Sequence, residues 1–190
     1  FMTELDPIEV FEKLPRFLDH KNISDGSIRT ELRMMLEANI TSDNAKKPRM
    51  TIHALNDVTV GTSQTTRLVE LEAYINETHL TNYRADAIIT STATGSTGYA
   101  LSAGGPIVFP EAELMILQPV APHTGLRDGI VLSPSSTIRL NATEGYQVSV
   151  SADGFIDSIL DSEEYVTIKR SPYTAKFLRE HQPDFFYTAL

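Results

Sequence analysis

The nine residues Ser91-Thr-Ala-Thr-Gly-Ser-Thr-Gly-Tyr99 place five serine or threonine hydroxyls between an apolar run, Ala87 to Ile89, and the helix formers of Tyr99-Ala-Leu-Ser102. That order reads as strand, hydroxyl-rich turn and helix start. Such a turn gathers backbone N–H groups and the hydroxyls of Thr94, Ser96 and Thr97 beside the positive end of a helix, which suits phosphate or sugar oxygens. Most turns of this composition bind nothing, so it is a candidate only. A second candidate is Asn56-Asp57, set inside the alternating, β-branched run Met50 to Val60. A polar pair there is costly unless satisfied. It marks either a β-bulge or turn, or an amide and a carboxylate placed to grip the two hydroxyls of a ribose.

A longer pattern joins the two. Asp86, then Ser91 to Tyr99, then Leu101-Ser-Ala-Gly-Gly-Pro106 resemble the signature of the ATP-dependent NAD kinases, whose usual form reads DG, STPTGSTAY, SLSAGGP. The match is gapless from Asn56 to Pro106, and Pro119-Val-Ala-Pro-His-Thr124 extends it. The resemblance implies the C-terminal, NAD-binding domain of an enzyme that moves the γ-phosphoryl of ATP or polyphosphate to the 2'-hydroxyl of the adenosine ribose of NAD. It places Asn56 and Asp57 on the adenosine ribose, and Thr94, Thr97, Gly98, Tyr99, Ala100, Leu101 and Ser102 in the same pocket. Ala121 walls the adenine, and Asp153 of Ser151-Ala-Asp-Gly154 faces the nicotinamide ribose. Asp86 meets the nicotinamide end or a partner subunit's ligand.

Arg67 and Arg84 fall where the family places polar or cationic contacts, and a guanidinium fork would match phosphate oxygens. Both could instead be solvated strand-edge charges, and Asp153-Gly154 could simply be a favourable hairpin turn. His123 is read as structural rather than as a general base. Two places break the family pattern: Asp128-Gly129 stands where Arg-Pro is usual, and Phe155 stands where several members have Gln.

The family's base is the Asp of a Gly-Gly-Asp-Gly loop in an amino-terminal α/β lobe, a tetrapeptide not found in this sequence. The resemblance therefore implies NAD binding without phosphorylation by this chain alone, and no catalytic residue is assigned to it. A divalent cation, Mg2+ by expectation, accompanies ATP in the intact enzyme, with none held by this chain. A homodimer or homotetramer is expected, a neighbour completing the pocket. Two rivals are a lipid or diacylglycerol-type kinase lobe of the same superfamily and a non-catalytic β-sandwich nucleotide-binding or interaction module.

These residues need a scaffold, and the composition supports one. The 190 residues are 41% hydrophobic with a formal charge of −9, which fits a globular domain and argues against a nucleic-acid or anionic-membrane partner. There is no cysteine and no apolar run near the ~20 residues of a membrane span, so the expected setting is cytoplasmic. Short strands at Ile130–Leu132, Ser136–Leu140, Gln147–Ser151, Phe155–Leu160 and Tyr165–Lys169, with turns between, predict a mainly β fold. The expected form is a distorted β-sandwich of many short strands with a few short helices. Residues 1–22 are expected as a linker helix from an amino-terminal lobe, 23–171 as the NAD-binding domain and 172–190 as an arm returning to that lobe. Asp6-Pro7 opens the helix and Pro15 is expected to kink or end it, with Ile8, Phe11, Leu14 and Leu18 packed inward. Residues 27–40 suit helix or strand by pattern, the resemblance favouring strand, and the tail from Tyr173 is expected to begin with a short helix.

Overall fold

The computed structural model describes residues 5–62, 68–143, 145–161 and 163–188, leaving the side chains of 156 and 157 aside. Arg67 lies outside the described residues. The chain divides into two units, 34–174 and a smaller one of 1–33 with 175–190.

The elements in order are α1 (Pro7–Leu18), α2 (His20–Ser24), β1 (Arg29–Ser42), β2 (Met50–Ala54), β3 (Asp57–Thr62), β4 (Val69–Ile75), β5 (Thr78–Ala85), β6 (Ala87–Thr92), a 3-10 turn (Gly95–Thr97), α3 (Tyr99–Ser102), β7 (Met115–Val120), β8 (Ile130–Leu132), β9 (Ile138–Ala142), β10 (Val148–Ala152), β11 (Phe155–Ile159), β12 (Glu164–Arg179) and α4 (Phe185–Thr188). The strands form two six-stranded sheets, in the orders β2-β1-β12-β9-β4-β5 and β11-β10-β3-β6-β7-β8. The recorded pairings are antiparallel. The mainly β fold stands as expected.

Alternation explains the core of the larger unit. Leu36, Ala38 and Ile40 of β1, Leu71 and Ala73 of β4, and Ile138 and Leu140 of β9 come from the first sheet. Val58 and Val60 of β3, Ile88 of β6, Met115 and Leu117 of β7, and Val148 and Val150 of β10 come from the second, and all belong to one buried cluster. Residues one position out of phase, such as Asp57, Thr59 and Ser91, therefore point to the other face of the second sheet. The turn at Asn76-Glu77 has φ of 49° and 65°, the left-handed pair that a tight β4–β5 hairpin requires.

In the smaller unit, the Asp6 carboxylate caps α1 by accepting from Ile8 and Glu9 N–H at 2.8 and 2.9 Å, while Glu9 returns a bond to Asp6 N–H. Pro15 does not end the helix, which runs through it to Leu18. One expectation fails here: Ile8, Phe11, Leu14 and Leu18 are exposed, with Phe17 the buried side chain. A second failure is the tail: Tyr173 to Arg179 is the end of β12, not a helix. Arg33 and Arg179 flank the Phe177 ring at 5.2 and 5.3 Å and both pair with the buried Glu31, an arrangement for which strand geometry outweighs helix propensity. Glu180 pairs with Lys13 at 3.1 Å and with Arg16. Among the described residues, no helix is long and apolar enough to cross a membrane.

Candidate functional site

β2 belongs to the first sheet and β3 to the second. The Asn56-Asp57 interruption is thus neither a bulge nor a simple turn. It is the bend at which the chain changes sheets, and its amides leave one ladder before joining the next.

Three elements hold that bend. From β6, Thr92 N–H donates to the Asn56 carbonyl at 2.9 Å and the Thr92 hydroxyl to the Leu55 carbonyl at 2.7 Å, while Gly95 N–H donates back to Thr92 Oγ1 at 3.1 Å. The second hold is the Gly95 contact. A Cβ there would stand 2.1 Å from the Asn56 carbonyl oxygen and 2.7 Å from Ser91 Oγ, so only glycine lets the hydroxyl-rich turn lie this close. From the β10–β11 hairpin, the Asp153 carboxylate accepts from the N–H groups of Leu55, Asn56 and Asp57 at 2.8, 2.7 and 3.2 Å. The pair at 56–57 and the turn at 94–97 are brought together.

The Asn56 side chain is half-buried and makes no hydrogen bond to the described residues. Asp57 is 8% exposed and opposite Ser91 in register. Its Oδ1 accepts from Thr59 at 3.2 Å. Burial pushes the Asp57 carboxyl above the usual aspartate range, the Thr59 hydroxyl opposes the shift, and the nearby Asp153 charge adds to it.

The turn itself differs from expectation. Ser96 faces inward, its hydroxyl accepting from Val108 N–H at 3.1 Å, which pins the 103–110 loop rather than a ligand. Thr94 is buried, and Thr97 Oγ1 donates to its carbonyl at 3.4 Å. α3 is a single turn of four residues, too short for a substantial dipole, so the expected positive helix end contributes little. Gly98, Tyr99 and Ser102 are exposed and Leu101 is half-buried, while Ala100 is fully buried where α3 meets β6.

Arg84, Asp86 and Ala121 lie elsewhere. Thr62 N–H donates to the Asp86 carbonyl and Asp86 N–H to the Val120 carbonyl, placing Asp86 at the far end of β3 and β6 from Asn56. Six strand residues separate the two ends, about 20 Å. Asp86, Arg84 and Ala121 are exposed. Arg84 sits 3.8 Å from Glu70, and its carbonyl accepts from His123 N–H at 2.7 Å. Ala121 has φ of 47°.

Sequence reading missed Thr92, Gly95 and Gln118 as organisers. Gln118 donates to the Ala103 carbonyl at 3.0 Å, and a Cβ on Gly129 would meet its Oε1 at 2.1 Å. The Asp128-Gly129 departure therefore makes room for the Gln118 side chain. Gly95 was findable, since a glycine flanked by hydroxyl residues after a buried strand signals close backbone approach.

The family of the ATP-NAD kinase C-terminal domain matches residues 55–180. The chain is similar to the NAD kinase of Caldanaerobacter subterraneus subsp. tengcongensis, 36% identical over 187 residues, covering 98% of this chain and 63% of that protein. It is also similar to that of Symbiobacterium thermophilum, 38% identical over 181 residues, covering 94% and 61%. The chain thus spans less than two thirds of the length of these relatives. Among solved structures it resembles yeast NADH kinase complexed with NADH, at a TM-score of 0.82 and 24% identity, covering 93% of this chain and 51% of that one. It also resembles an NAD kinase from Archaeoglobus fulgidus in complex with ATP, at 0.68 and 24%, covering 96% and 64%; both likenesses are of fold. With its family profile spanning residues 55–180 and its relatives matched along nearly its whole length, this chain belongs to the ATP-NAD kinase C-terminal domain family.

Proposed function

We propose that this chain is the acceptor-binding part of an NAD kinase, holding NAD so that the 2'-hydroxyl of its adenosine ribose can take the γ-phosphoryl of ATP. The observation that carries this reading is the seating of Gly95 against the Asn56 carbonyl. It puts a free amide and a buried carboxylate beside the hydroxyls of the 94–97 turn. The ionised Asp57 accepts from ribose hydroxyls and the Asn56 amide accepts or donates, a combination that fixes a vicinal diol. Thr94, Thr97 and the exposed residues of Gly98–Ser102 line the same region, and the relatives that bind NADH and ATP share the fold.

Arg84, Asp86 and Ala121 stand a strand's length from Asn56 within one chain. In this reading they complete the pocket of a second copy, and the working unit is a homo-oligomer. Arg67 joins the set by resemblance alone. The exposed α1 stripe of Ile8, Phe11, Leu14 and Leu18 is read as the seat of an α/β lobe that brings ATP, the base and the divalent cation. In this reading the chain's own contribution is to bind and orient. Positioning is most of what phosphoryl transfer asks of a protein. A cytoplasmic setting belongs to the same reading.

Calorimetric titration tests it. NAD binds the chain, and Asn56→Ala weakens binding at least about tenfold, the loss of a charge-assisted or paired hydrogen-bond contact. Absence of NAD binding to the wild-type chain, in monomer and oligomer alike, overturns the reading.

A further inference from the structure

We propose that Asp153 is a positioning residue that holds the sheet-changing bend from beneath and presents Asn56 and Asp57 to the adenosine ribose, without itself touching the nucleotide. The inference rests on the proposed function and departs from the contact with the nicotinamide ribose that family resemblance implies for this residue.

Both Asp153 oxygens are engaged by backbone. Oδ2 accepts from Leu55 N–H at 2.8 Å, and Oδ1 from Asn56 and Asp57 N–H at 2.7 and 3.2 Å. The main chain closes the ring, Asp153 N–H donating to the Asp57 carbonyl at 3.0 Å. These three consecutive amides sit where the chain leaves the first sheet for the second, and a carboxylate satisfies them with charge-assisted bonds.

The hairpin is shaped for this task. Asp153 and Gly154 take φ of 48° and 86°, the two left-handed positions of a tight turn. The β10–β3 ladder ends at Ala152 opposite Val58, so Asp153 is the first residue beyond it and reaches the bend directly. An asparagine would offer one oxygen and turn an N–H toward an N–H, and an alanine would leave all three amides bare.

The test separates positioning from contact by ligand choice. NAD carries both riboses, whereas 5'-AMP carries only the adenosine ribose. Each is titrated into the wild-type chain, Asp153→Ala and Asp153→Asn by calorimetry, and hydrogen exchange of the 55–57 amides is followed without ligand. The expected result is faster exchange at 55–57 in both variants. Affinity for NAD and for 5'-AMP falls by the same factor, between about 10- and 100-fold for the alanine, as loss of a hydrogen bond to a charged group would show, and less for the asparagine. Unchanged exchange at Val60 and Ile88 shows that the sheet is intact, and Asp153→Asn carries the comparison if the alanine variant does not fold. Loss of NAD affinity with 5'-AMP affinity intact assigns a nicotinamide-ribose contact and overturns the proposal, as does unaltered exchange at 55–57. A wild-type chain that binds neither nucleotide sinks the function proposed for the site, while the exchange result still reads the clamp by itself.

Discussion

Replacing Gly95 by alanine should weaken nucleotide binding as well as destabilise the fold. The added Cβ would lie 2.1 Å from the Asn56 carbonyl oxygen and 2.5 Å from its carbon, where ordinary contact begins at 3.4 Å. The first pair must part by about 1.3 Å. Both atoms are attached to backbone, so no side-chain rotation relieves the clash. Separation strains the bonds from Thr92 to the Leu55 and Asn56 carbonyls. Overpacking of this kind costs about 1–3 kcal/mol, a fall of roughly 2–12 °C in Tm for a chain of this size. A displaced bend gives up the charge-assisted hydrogen bond from the ribose to Asp57, worth about 1.5–3 kcal/mol, so NAD affinity should fall by roughly 10- to 150-fold. Gly104→Ala is the control. It meets nothing within 4 Å but has φ of +90°, so it loses stability through backbone strain while leaving Asn56 in place. Calorimetric Tm and NAD titration on both variants decide the matter. A folded Gly95→Ala chain that binds NAD as the wild type does would refute the claim that this contact sets the site.

Three further outcomes follow from the same geometry. Asn56→Ala and Asp86→Ala should each abolish tight NAD binding, while a mixture refolded together regains wild-type-affinity sites, because each mixed pair contains one pocket free of both changes; no recovery would place both residues in one chain's pocket or neither. Asp57→Asn should raise Tm at pH 7 and weaken NAD binding. The folded carboxyl titrates above its unfolded value, so its favourable contribution is complete below about pH 3.9 and lost as pH rises through the raised value; the variant's advantage over wild type should vanish in acid, and wild-type NAD affinity should decline as pH falls through the same value. Glu164→Gln should lower Tm at pH 7 by roughly 2–4 °C, the loss of about 1 kcal/mol for a bidentate pair. Arg49 holds Glu164 below the usual glutamate range at 2.6 and 2.8 Å, so that stability is present above about pH 4.3 and lost as pH falls through the depressed value.

Much of the scaffold was legible because alternation and burial agree. Val69 to Ile75 and Met115 to Val120 alternate or run apolar as strands should, and they are strands. The polar pair at 56–57 was legible as an interruption, but its meaning was not, since which sheet each half joins depends on partners far away in sequence. Tyr173 to Arg179 misled because Ala-Lys-Phe-Leu-Arg forms helices readily; its partners as a strand, Arg33 against Phe177 and Glu31 on Arg179, come from the other end of the chain. The hydroxyl turn was found by composition, yet composition could not say that Ser96 faces the 108 backbone while Asn56 keeps its amide free. Nor could it show Asp153 spending both oxygens on main-chain amides, because a turn-forming aspartate and a ligand-binding one look alike in sequence.

The most direct measurement is an NMR titration of the isotopically labelled chain with NAD, following each backbone amide. The account predicts the largest shifts at Asn56, Asp57 and residues 94–102, with a second set at Arg84, Asp86 and Ala121 as a neighbouring copy engages the same ligand. Shifts confined to other surfaces, or a spectrum that NAD leaves unchanged, would contradict it.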